Sequence, residues 1–355
     1  MFDTGVFGYA GINARVRARY STQLSPEQWA ELAAAPDLPA LIELLRRSAY
    51  GPYLAAGAEG ALTPRRAVYL IEGQMAEAYR TVIRTAPRQT CALLTLLYRN
   101  FEVANLKAVL RGIVSQAAWL QVKYVLFPFG PATVLPAEPM LTTRSIEAAI
   151  ELLRGTPYYE TLSHALKRYQ TEQGLFPLEV ALDLSYWREI WEAIHRLAKP
   201  DRVQALRIVG AWLDVNNLMW AIRYRVYYGL SPEELINYTL PWGYEVRDAD
   251  IRAIAGGADI PPIVQRIYPK ATNIVELLAE PRQGLPALEV QLQRYVREQC
   301  HRAFIGYPFH IGVPLAYLVL KKMEIQDLTV LLEAKASRTP PEVFRNYLTL
   351  GNVPA

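Results

Sequence analysis

One short pattern occurs three times in this chain, and a sequence repeated that way has few folds open to it. An acid, two residues, Asn or Asp, then Leu appears as Glu102-Val103-Ala104-Asn105-Leu106. It returns as Asp214-Val215-Asn216-Asn217-Leu218, and again as Glu324-Ile325-Gln326-Asp327-Leu328. The copies lie about 110 residues apart, and self-similarity at a fixed period signals a repeated supersecondary unit. The apolar residues around each copy recur at three and four, which is helical spacing.

Other segments repeat in the same order. Ile42-Glu43-Leu44-Leu45-Arg46 returns as Ile150-Glu151-Leu152-Leu153-Arg154. Each copy runs into a turn carrying tyrosine: Tyr50 and Tyr53 in the first, Tyr158 and Tyr159 in the second. A weaker third copy ends at Tyr268-Pro269. A longer helix then opens near Pro64, Pro177 and Pro286, because proline loses nothing in a first helical turn. One unit is therefore a short helix, a tyrosine turn, a long helix and the acid-bearing helix. Pro- and Gly-rich stretches at 127–139 and 240–257 separate the units. The expected domains are 1–135 with an N-terminal helix, 136–246 and 247–355. No alternating strand series interrupts them, so the fold class is all-α, with three similar helical domains.

On a helical wheel Glu102 falls inside the apolar stripe and Asn105 at its border, while Lys107 and Arg111 fall on the far side. A buried carboxylate needs hydrogen-bond donors. Glu102, Asp214 and Glu324 are therefore expected to accept bonds from a neighbouring helix of their own unit. Leu106, Leu218 and Leu328 are expected in the core. Lys107, Arg111 and Arg223 face away from it, as basic residues available to a solvated face or to a partner. The helix through Tyr9–Arg19 adds Arg15 and Arg17 to that basic surface.

The composition closes several classes of function. The chain has 38 basic and 34 acidic residues, a balance too even to signal nucleic-acid binding. The longest apolar run, near 307–320, is interrupted by Pro308, His310 and Pro314, so no membrane span is expected. The start of the chain lacks the apolar run of a signal peptide. Two distant cysteines, Cys91 and Cys300, suit a reducing compartment. His164, His195, His301 and His310 have no metal-ligand spacing and read as packing or surface residues. No phosphate-binding loop or catalytic-serine motif occurs. Acid and Asn at i,i+3 share a helix face and suggest a Mg²⁺-dependent all-α enzyme, but the run of paired carboxylates such sites use is missing. The expectation is a non-catalytic protein without metal or cofactor.

At this point the chain resembles a family, the C subunits of the archaeal and bacterial A/V-type rotary ATPases, equivalent to the d subunit of the eukaryotic vacuolar enzyme. The resemblance is carried by Tyr9 with Asn13-Ala14-Arg15-Val16-Arg17, by Arg99-Asn100 leading into Glu102, Asn105-Leu106 and Leu110-Arg111. It continues through Asp214 to Leu218 with Arg223 and Gly229-Leu230, and through Pro314-Leu315 and Tyr317 into Glu324. The third unit departs from it, with Asp327 for Asn and Glu333 for Arg. The resemblance implies a funnel of three helical domains around a pseudo-three-fold axis. It implies a torque-transmitting coupler between the central rotor shaft and the membrane proteolipid ring, one copy per complex, cytoplasmic and peripheral on the membrane's inner face. It implies no nucleotide site and partner contacts at Arg15, Arg17, Lys107, Arg111 and Arg223. A helical-repeat scaffold with other partners is the alternative.

Overall fold

A computed structural model of the protein describes residues 4–55 and 62–350. Part of the signal-peptide reading concerns residues 1–3, which lie outside the described residues. Every regular element among the described residues is helical. Three acid helices carry the repeated pattern: Arg88–Val114, Ala211–Arg223 and Gly312–Ser337. The second is the shortest by itself, but it continues Lys199–Ala205 through a wider turn at Leu206–Gly210 and ends in another at Tyr224–Tyr228.

Three bracing helices precede them: Pro64–Thr85, Phe176–His195 and Pro281–Ala303. Pro64 and Pro177 occupy first turns, as expected. The third opening is corrected. The helix starts at Pro281, and Pro286 lies inside it, where its ring withholds an N–H from the carbonyl of Arg282. Two prolines compete for the free first turn, and the earlier one takes it. The short helices Leu38–Arg46 and Ile146–Glu151 begin on side-chain caps, Asp37 accepting from Ala40 N at 2.9 Å and Ser145 from Ala148 N at 3.2 Å. Tyr50, Tyr158 and Tyr268 follow the short helices and are buried.

Helix packing crosses the sequence units. The second bracing helix lies on the first acid helix, the third bracing helix on the second acid helix, and the first bracing helix on the third acid helix. That last contact joins residues early in the chain to residues near its end. The N-terminal helix Thr4–Tyr20 adds to the same closure. Its Asn13 amide donates to the Pro308 carbonyl at 2.5 Å and Arg17 to the Phe304 carbonyl at 3.1 Å. The third acid helix is covered by the N-terminal helix, Leu38–Arg46, and the first and third bracing helices. A helix enclosed on that many sides must be apolar nearly all round. Most of the run read from the sequence near 307–320 is therefore core: Tyr307 is exposed, but every residue from Gly312 to Leu320 is buried. No helix among the described residues is long and apolar enough to cross a membrane. Leu106, Leu218 and Leu328 are each 0% exposed, at the centre of the packing the sequence assigned them.

Candidate functional site

Each acid pattern builds a clamp on the chain that returns after its helix. Glu102 Oε1 accepts from Thr133 Oγ1 at 2.6 Å and Val134 N at 2.7 Å, and its Oε2 accepts from the Tyr158 hydroxyl at 2.6 Å. One turn along the helix, Asn105 donates to the Phe127 carbonyl at 2.9 Å and accepts from the Phe127 N–H at 2.7 Å. An amide is the side chain that can satisfy both main-chain groups of one residue. The second clamp repeats this with Asn217, which donates to Leu240 O at 2.9 Å and accepts from Leu240 N at 2.8 Å. Asp214 sits in a cup of three main-chain N–H groups, those of Tyr244, Glu245 and Val246.

The third clamp explains the departure at Asp327. Its carboxylate accepts from Thr349 N at 2.8 Å, Thr349 Oγ1 at 2.9 Å and Leu350 N at 3.1 Å. Thr349 stands where the other clamps have Phe127 and Leu240, and it offers a hydroxyl as well as an N–H. Against donors alone, a carboxylate fits better than an amide, whose NH₂ would meet a donor. Above it, Glu324 accepts from Leu24 N at 3.0 Å, the Tyr50 hydroxyl at 2.6 Å and Lys321 Nζ at 2.7 Å. Lys321 is itself buried, and it donates to Gln74 at 2.8 Å on the first bracing helix. This network ties the third acid helix to both the first bracing helix and the N-terminal region.

The expected donors are therefore corrected. Glu102 and Glu324 take tyrosines from other units, Tyr158 and Tyr50, and the remaining main-chain donors to the acids are on loops rather than helices. The acids also spend their lone pairs on N–H and O–H groups, which removes the ligands of the Mg²⁺ reading. Among the described residues no group of three or more His, Cys, Asp or Glu could hold a metal ion. Burial pushes the Asp214 carboxyl up to about 7, with the N–H groups of Glu245, Tyr244 and Val246 working against the rise. Burial likewise raises Asp327 to about 6, with Thr349 and Leu350 opposing it.

The basic side of the acid helices is engaged within the chain. Lys107 pairs with Asp183, and Arg111 makes a two-pronged pair with Glu179 at 2.6 and 2.8 Å, both on the second bracing helix. Arg223 pairs with Glu289 on the third bracing helix. The face pointing away from a helix's own unit is the face on which the next unit packs, so these three charges are used within the chain. Arg17 caps Phe304 O and lies over the Phe304 ring at 5.7 Å. Arg15 stays exposed on the N-terminal helix. Glu333, at the position of Arg111 and Arg223, is exposed, and the third seam has no matching acid–base pair among the described residues. The acid helices themselves meet around Lys322, whose ammonium lies 3.9 Å from the Trp212 ring centroid and 5.8 Å from that of Phe101. Burial lowers this ammonium to about 7.

The far halves of the clamps were not among the residues expected from the sequence: Thr133, Phe127, the amides of 244–246, Leu240 and Thr349. A signal was present. The residue paired with Asn105, Asn217 or Asp327 lies 22, 23 and 22 residues downstream. In the first two copies it also immediately precedes a proline, Pro128 or Pro241.

Comparison with known proteins gives a family over nearly the whole chain. The family described as ATP synthase (C/AC39) subunit matches residues 12–347. The chain is similar to the C subunit of the A-type ATP synthase of Methanocaldococcus jannaschii, 24% identical over 346 residues, which covers 96% of this chain and 86% of the relative. The protein of the same name from Archaeoglobus fulgidus is 23% identical over 350 residues, covering 96% of both chains. That of Thermococcus onnurineus is 23% identical over 342 residues, with 96% of this chain and 90% of the relative covered.

Proposed function

The chain belongs to the ATP synthase C/AC39 family, and from that premise we propose that it couples the central rotor shaft to the membrane proteolipid ring and transmits torque between them. It is a non-catalytic stalk component of an A/V-type ATP synthase, and it works by being a rigid part. The observation that carries the coupling reading is closure. Glu324 and Lys321, near the chain's end, bind Tyr50, Leu24 and Gln74, near its beginning. A torsional load between two partners deforms an open helical array at its ends first, and joining the ends removes that weak point. Buried, fully satisfied polar networks rigidify the elements they join.

In this reading the units 1–135, 136–246 and 247–355 surround a common axis, with Lys322 near the place where the acid helices converge. One copy serves one complex. The chain sits peripherally on the cytoplasmic side of the membrane. Arg15 is the basic residue of the expected partner set that remains free to meet an acidic surface.

Co-purification with a shaft protein and a detergent-solubilised ring tests the proposal. Binding to both is expected, and binding to neither would overturn it. The isolated chain is expected to hydrolyse no ATP, and a turnover that follows the purified chain through successive columns would contradict that expectation.

A further inference from the structure

A cavity of about 370 Å³ opens beside the closure, where the N-terminal helix and Pro26–Ala34 meet the third bracing and third acid helices. Two donors on its wall are unspent. Arg297 gives only its Nε–H, to His301 Nε2 at 3.3 Å, and its other N–H groups have no acceptor among the described residues. The Gln23 Nε2 is buried and has no hydrogen-bond partner among them. The Tyr20 hydroxyl meets His301 Nδ1 at 3.3 Å, which completes a chain of polar groups from the N-terminal helix to Arg297. Trp29, Leu320 and Met323 form the apolar side.

Leaving donors unpaired in a partly desolvated site is costly, and such groups are met by ordered water, an ion or a ligand, so a ligand that displaces water there must bring acceptors of its own. The one carboxylate on the wall, Glu324, already accepts from Leu24 N, Tyr50 and Lys321, and Lys321 neutralises its charge. Asp327, close enough to influence Arg297, is turned to Thr349 and Leu350. Arg297 is therefore a cation held near acids whose oxygens are occupied elsewhere.

We propose that this cavity is a binding site for a small oxyanion, a carboxylate or a phosphate on a compact apolar body, with Arg297 as its charge partner and Gln23 as a second donor. A planar guanidinium with free N–H groups suits both oxyanions, which it can bind through two parallel hydrogen bonds. The apolar wall takes the remainder of the molecule. Because the site lies across the seam between the start and the end of the chain, an occupant fastens the closure further. This inference needs neither shaft nor ring, so its failure leaves the coupling role untouched.

The test uses the full chain with inorganic phosphate and with hexanoate, by isothermal titration and thermal unfolding. Binding of at least one, with a rise in Tm, is expected. Phosphate alone would identify the headgroup as phosphate, and hexanoate alone would identify a carboxylate carried on an apolar tail. Arg297→Leu should weaken binding by about tenfold or more, because a charge-assisted pair is lost. Gln23→Leu should weaken it by a smaller factor. Met323→Trp fills the void without touching the donors and should also abolish binding, which keeps the test decisive if Arg297→Leu does not fold. Failure of both probes to bind overturns the proposal. So does binding that Gln23→Leu and Met323→Trp leave unchanged.

Discussion

The first and second clamps stand in the same helical register and differ by one methylene, Glu102 against Asp214. Glu102 reaches past its own returning loop to the Tyr158 hydroxyl. Asp214 stops at the loop and takes three main-chain N–H groups. The tyrosine in the corresponding turn, Tyr268, keeps a buried hydroxyl with no partner among the described residues. Shaping the returning chain is thus a task for Glu102 and Asp214, with Asp327 taking it over in the third clamp, and fastening another unit is a task for the two glutamates. The third clamp adds a buried charge. Glu324 has Lys321 as a counter-ion, while the donors to Glu102 are hydroxyls and an N–H.

That contrast predicts the largest difference among substitutions. Glu324→Gln leaves the Lys321 ammonium buried without its counter-charge, and stranding a buried charge costs about 3–5 kcal/mol. Glu102→Gln strands no charge and should cost about 1–3 kcal/mol for the donors it no longer satisfies. Urea unfolding measures both. Equal losses would mean that the Lys321 charge has no part in closing the chain.

The second clamp can be broken from either side. Asp214→Ala leaves three N–H groups facing an empty cup, with an expected loss of roughly 3 kcal/mol. Gly243→Ala attacks the same cup from the loop, because a Cβ there would collide with Asp214 Oδ1 and the Val246 carbonyl oxygen. The pH dependence has a definite sign. The folded Asp214 carboxyl titrates near 7, above its ordinary value of 3.8. The folded chain then binds more protons than the unfolded chain between those limits, so stability falls as pH rises toward and through 7. Lys322 acts in the opposite direction, adding stability as pH rises above about 7. Between roughly pH 4.5 and 6.5 the raised carboxyls Asp214, Glu72 and Asp327 lower stability as pH rises, while His301 and His310, whose imidazoles burial lowers, act in the opposite direction. Asp214→Asn should make the slope less negative, leaving the contributions of Glu72 and Asp327. An unchanged slope would remove Asp214 as its source.

These contrasts also mark what could be read from residue order. The helices and the core leucines depend on local periodicity, which a single sequence carries. The acids were legible as buried, because the wheel puts them on the apolar stripe. Their partners were not. Tyr50 lies 274 residues from Glu324, and no local pattern records that contact. The ion pairs of the basic residues stayed hidden for a related reason. A wheel shows that Lys107 points away from the helices of its own unit, but it does not reveal that a neighbouring unit arrives with Asp183. Pro286 was misplaced because an equally good opening at Pro281 lay just upstream.

The third clamp offers a smaller test. Asp327→Asn sets an NH₂ against the N–H and hydroxyl of Thr349, and the expected loss is about 1–2 kcal/mol. Thr349→Leu alone removes one donor. The double substitution recreates the Asn–Leu pairing of the second clamp, so the two changes should cost less together than their sum. A double-mutant cycle gives that coupling directly. Strict additivity would mean that the Asp–Thr exchange is incidental to the clamp.

The smallest expected effect lies on the charged seam between the first acid helix and the second bracing helix. Arg111 is exposed, and its pair with Glu179 is open to solvent and screened by salt, so the coupling should be about 0.5–1 kcal/mol and shrink at high salt. Lys107 and Asp183, a few residues away on the same two helices, are more enclosed. Burial raises the Asp183 carboxyl, and Lys107 is the largest influence opposing that rise. Lys107→Met should therefore cost more than Arg111→Met and should raise the Asp183 pKa further. The Lys107–Asp183 coupling should also survive salt better, because ions reach it less easily. Cycles on both pairs at low and high salt separate a seam held by its charges from one held by the apolar residues beneath them. If neither pair shows coupling, the two helices are joined by packing alone, and these basic residues contribute register rather than strength.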